Sequence, residues 1–314
     1  MTDPRGQPPR PAAIIVNERA GSASTPRVRR AVELARRALD ADVLTTATRD
    51  PDELAAWLSG HVERYRTLVV AGGDGSLAVA CNGVAGRDTV LGYIPAGTGN
   101  ATASLLRLPR SPEALVAVLA RAETRPVDLL AVNGRLALFA GVGWDAIVAG
   151  RYAQAGAHGL PGWAWAIARS LPDLARAPSV QVEADGTLVH DGPMELLVVG
   201  TTPWWGRGLL VNPGARPDAG RLTARIYPPS PARFAVDALR WAAHRRPSVE
   251  PVRATRIRVR SSSGDALPLE TDGDVLGARP EWHVEVRPAA VRLIGRWEEG
   301  GAAQETLGRG LDRA

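Results

Sequence analysis

Lysine is absent from this sequence of 314 residues, so all 38 of its Lys and Arg side chains are arginines. A Walker-A phosphate loop needs a lysine, as do the phosphate clamp of protein kinases and Schiff-base catalysis. The composition therefore excludes these three chemistries. Cysteine is nearly absent too, because Cys81 is the only one. A single cysteine excludes a disulfide framework and any zinc site built from several cysteines.

Long apolar runs and dense basic blocks are missing as well. No run reaches the roughly 18 apolar residues of a membrane-spanning helix, and residues 1–11 lack the apolar segment of a signal peptide. The net charge is +5, and the arginines are scattered rather than gathered into a block that would follow nucleic acid. We therefore expect a cytoplasmic protein that binds no nucleic acid. Its mildly positive surface suits anionic substrates or an anionic membrane.

Two patterns divide the part of the chain that is expected to fold. Residues 12–126 alternate apolar strand runs with capped helix starts, which predicts an α/β domain with a mostly parallel sheet. Residues 127–297 contain short strand-like runs separated by turns such as Asn133-Gly134, which is typical of antiparallel hairpins. We leave open whether the last strand returns to the first domain. The polar tails, residues 1–11 and 298–314, are expected to be disordered.

Three strand-to-helix junctions of the first domain are rich in glycine and small polar residues. We call them the first, second and third glycine loops: residues 16–22 (VNERAGS), 71–76 (AGGDGS) and 95–100 (PAGTGN). Glycine lets the backbone approach a ligand closely, and the helix that follows offers unpaired N–H groups. Because the loops of a parallel sheet meet at one edge, their composition predicts a site for a phosphate-bearing ligand.

Asp74 lies inside the second glycine loop, where its charge would repel a bare polyphosphate. Two interpretations are open at this point. The carboxylate holds Mg²⁺, which bridges carboxylate and phosphate oxygens, or it caps a turn, as aspartate often does.

The motifs resemble, in chain order, those of the diacylglycerol kinase catalytic-domain family, which includes bacterial lipid kinases and the sphingosine and ceramide kinases. The segment GGDGS is similar to the GGDGT signature of that family, and PAGTGN matches its Pro-x-Gly-Thr-x-Asn loop. GGDG alone is shared with NAD kinases and phosphofructokinase-like enzymes, but the ordered set is more specific. The other similar segments are NERAG (17–21), VDLLAVNGR (127–135), FAGVGWDA (139–146), LLVNPGARPDAGRL (209–222) and ETDGDVLG (270–277).

The resemblance implies a Mg-ATP-dependent kinase that phosphorylates a lipid hydroxyl on a diacylglycerol-like or sphingoid acceptor. It also implies a nucleotide domain, a β-sandwich-like second domain and an active site between them. Asp274 occupies the position of the family's catalytic glutamate, the general base, and Asp74 is also a candidate metal ligand. The nucleotide-binding positions that the resemblance implies are Asn17, Gly21, Thr45, Gly72, Gly73, Asp74, Gly75, Ser76, Leu77, Thr98 and Asn100.

Chemistry supports a base at Asp274, because phosphoryl transfer to an alcohol profits from a carboxylate that accepts the hydroxyl proton. Asp272 lies two positions earlier, and a strand would place both carboxylates on one face. Such a pair would raise one of the two pKa values and could bind Mg²⁺. We therefore predict that Asp74, Asp272 and Asp274 are catalytic. The alternative for this segment is an ordinary Asp-Gly turn.

The sequence departs from the family pattern at several positions. Ala101 stands where the family often has aspartate, Glu18 replaces the proline of the first loop, and Asp274 is shorter than glutamate. Asp218 falls one position before the aspartate that the family links to a structural Mg²⁺, which leaves a metal site there open. Two other functions therefore stay open: an NAD kinase-like small-molecule kinase, and a catalytically silent nucleotide-binding or regulatory protein.

A kinase that acts on lipids must also reach a membrane. Tryptophan, arginine and apolar residues occur together in residues 163–169 (WAWAIAR) and 231–246, and Trp204-Trp205 adds a third candidate. This composition suits an interfacial surface, so we expect peripheral contact with a membrane that carries the lipid substrate. The alternative is that the tryptophans pack in cores or line a lipid pocket. The residues do not decide between a monomer and a homodimer.

Overall fold

The computed structural model describes residues 12–48, 50–155 and 159–297, so the two tails that we expect to be disordered lie outside the described residues. The helices are α1 (Pro26–Leu39), α2 (Pro51–Ser59), α3 (Asp74–Val84), α4 (Ala101–Leu105), α5 (Pro112–Arg121), α6 (Trp144–Gln154), α7 (Leu160–Ser170) and α8 (Pro231–Ala242). The strands are β1 (Ala12–Asn17), β2 (Asp42–Thr46), β3 (Thr67–Gly72), β4 (Val90–Pro95), β5 (Thr124–Val132), β6 (Arg135–Ala137), β7 (Phe139–Gly143), β8 (Ser179–Ala184), β9 (Thr187–Pro193), β10 (Leu196–Gly200), β11 (Trp204–Trp205), β12 (Leu209–Leu210), β13 (Leu222–Tyr227), β14 (Val252–Ala254), β15 (Arg256–Ser261), β16 (Leu267–Thr271), β17 (Asp274–Arg279) and β18 (Glu281–Ile294).

Four parallel strands form the centre of the first domain, in the order β2, β1, β3 and β4. Successive residues of a strand point to opposite faces, and both faces are covered by helices. Ile14 and Val69 pack with α1 and α5, whereas Ile15 and Leu68 pack with α2 and α3. Burial of each such side chain contributes about 1.5–3 kcal/mol. The predicted parallel-sheet α/β domain is confirmed.

Local capping explains where three of these helices begin. Thr25, Asp50 and Ser111 each accept a backbone N–H of the following first turn, and each is followed by proline. A side-chain oxygen at this position satisfies an otherwise unpaired donor, and proline at the first helical position removes no hydrogen bond. The cap at Thr25 begins α1 shortly after the first glycine loop, whereas the caps at Asp50 and Ser111 begin α2 and α5, which do not follow a glycine loop.

The second domain is a sandwich of two sheets with antiparallel pairing. One sheet has the order β14, β13, β10, β7, β16 and β17. It faces β5, β8, β15 and β18 of the other sheet, and the core between them includes Val142, Val199, Leu269 and Trp282. The Trp282 indole N–H donates to the carbonyl of Leu267 at 2.8 Å, which satisfies its polar atom in the core. The predicted antiparallel, β-sandwich-like second domain is confirmed.

The last strand joins the two domains into one continuous sheet. β18 pairs antiparallel with β5 and β15, and its end pairs parallel with β4, where Arg292 lies opposite Val90. The predicted domain boundary after residue 126 falls inside β5. β18 therefore pairs both with β4 of the first domain and with β5 of the second. These backbone hydrogen bonds hold the two domains in a fixed relative position.

The helices are short. Within the ranges that the structure describes, no helix combines the length and the apolar character needed to cross a membrane.

Candidate active site

The three glycine loops contact one another at the carboxyl edge of the parallel strands. The side-chain amide of Asn17 donates to the carbonyl of Thr48 at 3.0 Å and to Ser76 Oγ at 3.1 Å, which ties the first loop to the second. The backbone N–H and hydroxyl of Ser22 donate to the carbonyl of Ala96 at 2.7 and 2.9 Å, which ties the first loop to the third. The loops therefore form one rim.

Close backbone packing explains why this rim needs glycine. A Cβ added to Gly97 would lie 2.5 Å from the Cα of Gly73, and one added to Gly72 would lie 2.7 Å from the Cβ of Ser76. A Cβ on Gly21 would lie 3.0 Å from Thr98 Oγ1. A side chain at Gly97 would push the second and third loops apart, one at Gly72 would clash inside the second loop, and one at Gly21 would displace the Thr98 hydroxyl. The predicted residues Asn17, Gly21, Gly72, Gly73, Ser76 and Thr98 thus share one neighbourhood, and it also contains Gly97, which was not singled out from the sequence.

The start of α3 offers hydrogen-bond donors to this rim. Gly73 precedes the helix and provides no side-chain cap, so the first-turn N–H groups at Asp74, Gly75 and Ser76 have no partner within the helix. Such a turn attracts anions. Leu77 differs from the other predicted residues. Its side chain is buried in the core and its N–H donates to the carbonyl of Gly73, so it supports the loop and offers no free donor.

Asn100 shapes the third glycine loop from inside. Its side-chain oxygen accepts the Tyr93 hydroxyl and the N–H of Gly97, both at 2.9 Å, and its amide nitrogen donates to the carbonyl of Gly97 at 2.8 Å. The backbone of Asn100 is left-handed, with φ +53°, a conformation that asparagine tolerates. The side chain is therefore engaged by the protein itself, and it fixes the conformation of the loop.

Asp74 caps α4, the helix that follows the third loop. Its carboxylate accepts the N–H of Ala101 at 2.9 Å and that of Thr102 at 3.1 Å. Burial raises the pKa of Asp74, and these backbone hydrogen bonds oppose the increase because they favour the carboxylate. The sequence left open whether Asp74 caps a turn or holds Mg²⁺, and the structure shows it as a cap. Asp74 itself lies in the first turn of α3, beside the rim.

The prediction that Asp272 and Asp274 share a strand face is wrong. Asp272 and Gly273 form the turn between β16 and β17, with φ of +50° and +92°, and Thr271 pairs with Asp274 across it. Two successive residues with positive φ are typical of a hairpin turn, which the Asp-Gly pair favours. The segment is therefore the Asp-Gly turn that was the alternative in the sequence analysis. Asp274 is the first residue of β17 after this turn.

Asp272 binds backbone groups at the start of β7. Its buried carboxylate accepts the N–H of Leu138 at 3.1 Å and that of Phe139 at 3.2 Å. Burial raises the pKa of Asp272 to about 8, the two N–H donors lower it, and the charges of Asp74 and Asp274 raise it further. These contacts fix the turn against the start of β7, and the predicted catalytic role of Asp272 stays a prediction.

Asp274 lies at the second glycine loop. A Cβ added to Gly75 would be 3.3 Å from Asp274 Oδ2, so the carboxylate is next to the first turn of α3. The side chain is 43% exposed, and Arg135 Nη2 lies 3.8 Å from Oδ2. Partial burial raises the pKa of Asp274, whereas Arg135 lowers it. A half-exposed carboxylate therefore lies beside both a cation and a helix turn with unpaired N–H donors.

Two predicted residues remain, Thr45 and Asp218. Thr45 is exposed on β2, opposite Val16 of β1. A cavity of about 300 Å³ lies beyond the ends of these strands, lined by Arg19, Ala47, Thr48, Asp50 and Glu53. It is large enough for part of a small ligand beside the first glycine loop.

Asp218 forms an ion pair with Arg216 at 3.2 Å. Within the described ranges, no three His, Cys, Asp or Glu side chains gather as a metal-ligand set. Neither observation supports a metal held by protein groups alone at Asp218.

Three charged residues at the site were missed from the sequence. Arg135 is the ion-pair partner of Asp274, and the buried Glu270 lies beside the partly buried Asp145 behind the hairpin turn. All three lie within segments whose likeness to the family was noticed, but nothing in their local sequence assigns them to Asp274. Their proximity depends on the pairing of β7 with β16, where Gly141 lies opposite Glu270.

Two family models match this chain. The diacylglycerol kinase catalytic domain matches residues 11–132, and the YegS C-terminal NAD kinase beta sandwich-like domain matches residues 139–295. A protein named diacylglycerol kinase from Mycobacterium tuberculosis is 33% identical over 163 residues, which are 49% of this chain and 52% of that relative. The chain thus spans about half the length of this relative. A protein named probable lipid kinase YegS-like from Stenotrophomonas maltophilia is 25% identical over 261 residues, 76% of this chain and 84% of the relative.

The fold is that of a two-domain kinase with a parallel-sheet domain and a β-sandwich domain. The crystal structure of a diacylglycerol kinase from Bacillus anthracis shares it with a TM-score of 0.71 at 21% identity, over 91% of this chain and 96% of the other. At this identity the likeness concerns the fold alone. The second family model matches half of the chain and the first matches most of the rest. The chain therefore belongs to the diacylglycerol kinase-like lipid kinase family.

Proposed function

We propose that the chain transfers the γ-phosphate of Mg-ATP to the hydroxyl of a diacylglycerol-like or sphingoid lipid, with Asp274 as the general base. The observation that carries this proposal is the position of Asp274 against Gly75 of the second glycine loop. An acid from the second domain and a donor-rich turn from the first domain meet there. Family membership supports the lipid kinase class, and the geometry supports the assignment of the base.

The residues present fit a nucleotide with its magnesium ion. The uncapped first turn of α3 and the glycines of the rim suit phosphate oxygens. Mg²⁺ keeps several waters and binds one or two carboxylates together with phosphates, so Asp74, whose carboxylate also caps α4, is the residue that would hold it at this rim. When bound, Mg-ATP supplies the phosphoryl group and neutralises much of its charge.

The chain's own residues would then act in a simple sequence. The N–H groups of the second loop hold the phosphates in place. Asn17 ties the first loop to the second through Ser76, and Asn100 fixes the third loop through Gly97. Asp274 would take the proton of the acceptor hydroxyl while the hydroxyl oxygen bonds to the γ-phosphorus and ADP leaves. Arg135 favours the ionised form of Asp274, and Asp272 anchors the turn that presents it.

We also propose that the protein is cytoplasmic and meets its acceptor at an anionic membrane surface through α7 and α8. Trp163 stacks on Tyr152 at 4.3 Å and Trp241 is buried, so these two tryptophans pack internally. Trp165 is 46% exposed, and Leu239 is 72% exposed. Exposed arginines accompany them on or just after both helices, namely Arg169, Arg233, Arg245 and Arg246. Exposed tryptophan and aliphatic groups among arginines suit an interface with anionic lipid.

A phosphoryl-transfer assay tests the catalytic proposal. Labelled ATP is offered with diacylglycerol, monoacylglycerol, ceramide, sphingosine or phosphatidylglycerol in mixed micelles, and separately with NAD. We expect one lipid class to be phosphorylated and Asp274→Asn to reduce the rate by about 10²-fold or more. Transfer to NAD and to no lipid would favour the small-molecule kinase. Tight ATP binding with no acceptor phosphorylated would favour the regulatory protein.

Vesicle sedimentation tests the membrane proposal without any catalysis. We expect the wild-type protein to sediment with phosphatidylglycerol-containing vesicles more than with phosphatidylcholine vesicles, and the double variant Trp165→Ala, Leu239→Ala to lose most of this binding. Leu188→Ala is the matched control, because Leu188 is 53% exposed on β9. Equal binding of the double variant and the wild type would contradict the assignment of α7 and α8.

A further inference from the structure

The hairpin turn that carries Asp274 is held by Glu270. Glu270 lies on β16 and is 1% exposed. Its Oε2 accepts the N–H of Gly273 at 2.7 Å, and Gly273 is the residue directly before Asp274. Asp272 anchors the other end of the turn through the N–H groups of Leu138 and Phe139. The orientation of Asp274 therefore depends on two buried carboxyl groups.

The second oxygen of Glu270 faces another carboxyl group. Glu270 Oε1 is buried, and the described part of the chain provides it with no N–H donor. It faces Gly141, where an added Cβ would lie 2.9 Å from it and closer still to Asp145 Oδ2. Both oxygens thus face the same point above Gly141, so the two acids are neighbours, and a proton between them would satisfy the otherwise unpartnered Glu270 Oε1. A glycine at position 141 is what leaves room for this contact.

The surroundings favour one shared proton over two charges. Besides Asp145 on α6, the titratable group that acts on Glu270 is Asp272, and no Arg or His forms an ion pair with either acid within the described ranges. Burial and the neighbouring carboxylate raise the pKa of Glu270 well above its usual range, and burial raises the pKa of Asp145 to about 6. Two adjacent buried carboxylates cannot both ionise cheaply.

We propose that Glu270 and Asp145 are positioning residues that share a proton and hold the Asp272-Gly273 turn, and with it Asp274, against the second glycine loop. This inference rests on the proposed function, because it concerns the placement of the proposed base. Helix α6 supports the hairpin at two points. Asp145 in its first turn contacts Glu270, and Gly150 further along contacts Val275, with an added Cβ 3.6 Å from the Val275 side chain. The pair thus connects α6 to the base.

Two substitutions of Glu270 separate this role from simple packing. Gln reproduces the protonated acid, because its oxygen accepts from Gly273 and its NH₂ donates to Asp145, but it cannot titrate. Leu has a similar size and makes neither bond. We expect Glu270→Gln to keep kcat within about threefold of wild type at pH 7 and to flatten the alkaline decline of kcat. We expect Glu270→Leu to lower kcat by about tenfold or more with KM for ATP nearly unchanged, because the base is displaced.

The experiment measures kcat and KM against pH for the wild type, both Glu270 variants and Asp274→Asn, together with amide hydrogen exchange at Gly273 in the absence of ATP. We expect slow exchange at Gly273 in the wild type and Glu270→Gln, and faster exchange in Glu270→Leu. The inference is overturned if Glu270→Leu matches the wild type in kcat, if Glu270→Gln is as impaired as Glu270→Leu, or if Gly273 exchange is the same in all. A wild-type rate no higher than that of Asp274→Asn would contradict the proposed function instead, and the exchange rates then still decide on the pair.

Discussion

The backbone N–H of Ala101 donates to the carboxylate of Asp74 at 2.9 Å, and this bond joins the second glycine loop to the helix that follows the third. Thr102 adds a second donor at 3.1 Å. The same carboxylate is the proposed Mg²⁺ ligand. Asp74 therefore has a structural role that can be measured in the absence of nucleotide, and a proposed catalytic role that cannot.

Substitution of Asp74 separates the two roles. Asp74→Ala removes the cap of α4, and we expect it to lower the free energy of unfolding by about 1 kcal/mol. Asp74→Asn keeps one acceptor oxygen but loses the charge, so we expect a smaller loss of stability. We expect this variant to need about tenfold more Mg²⁺ for half-maximal transfer, because one anionic ligand is gone. Urea unfolding and Mg²⁺ titrations of the rate measure both effects. An unchanged Mg²⁺ requirement in Asp74→Asn would leave Asp74 as a cap only.

The length of the proposed base is a second test. Asp274 is half exposed, so a glutamate with one more methylene has room at this position. We expect Asp274→Glu to stay within about tenfold of the wild-type rate and Asp274→Gln, which matches it in size, to lose about 10²-fold or more. Both variants are assayed on the lipid that the wild type phosphorylates best. Equal rates for the glutamate and glutamine variants would show that the charge at this position takes no proton.

Arg135 should set the acidic limb of the pH profile. The guanidinium group lies 3.8 Å from Asp274 and lowers the pKa of that carboxyl, while burial raises it. Arg135→Gln removes the lowering effect, so the base becomes protonated at a higher pH. We expect the acidic limb of kcat/KM to move upward by a few tenths of a pH unit, as befits a partly exposed ion pair.

The matched control for Arg135 is Arg30→Gln, because Arg30 forms an exposed ion pair with Glu113 on the helical side of the first domain. It changes the net charge equally and lies away from Asp274. A downward shift in Arg135→Gln, or an equal shift in both variants, would contradict the assigned contact.

Much of the first domain could be predicted because its signals are local. Thr25 and Asp50 are each followed by proline and each begin a helix. Apolar strand runs that alternate with helices indicate a parallel sheet covered by helices on both faces. The three glycine loops then had to meet, since the ends of adjacent parallel strands lie at one edge. The closeness of Asp274 to the second loop followed from the family resemblance.

The site failed to be predictable where it depends on long-range pairing. Asp272 and Asp274 were placed on one strand face by the two-residue period, but the Asp-Gly pair at 272–273 favours positive φ and made the turn instead. The contact between Glu270 and Asp145 needs the register of β16 on β7, which opposes Glu270 to Gly141. No local pattern in the sequence encodes that register. The contact between Glu270 and Asp145 therefore cannot be inferred before the pairing of the two strands is known.

Gly97 should be as restrictive as the rim suggests. Gly97→Ala would place a Cβ 2.5 Å from the Cα of Gly73, a backbone atom that cannot move without opening the second loop. We expect a weaker affinity for ATP, by about tenfold or more, because the donor groups separate. Gly60→Ala is the control, since its Cβ would meet only the Trp57 carbonyl at 3.8 Å. Calorimetric titration with ATP measures both, and equal affinities would contradict the close contact of the loops.

The buried charge of Asp272 should make the protein less stable as the pH rises. Its pKa is about 8 in the folded chain and about 3.9 when unfolded, so between these values the folded state binds the proton more tightly. Stability is then full below about pH 4 for this group and is lost as the pH rises through about 8, by at most about 1.4 kcal/mol per unit. Asp272→Asn still accepts from Leu138 but does not titrate, so its stability should fall less between about pH 5 and 8. The raised pKa values of Glu270 and Asp145 affect the wild type and Asp272→Asn in the same direction. Only the difference in pH dependence between the unfolding free energies of these two proteins, measured with urea, therefore reports on Asp272. Asp88 is exposed, so Asp88→Asn controls for the change in net charge. If the stability of the wild type falls no faster with pH than that of Asp272→Asn, Asp272 is ionised in its buried site at neutral pH.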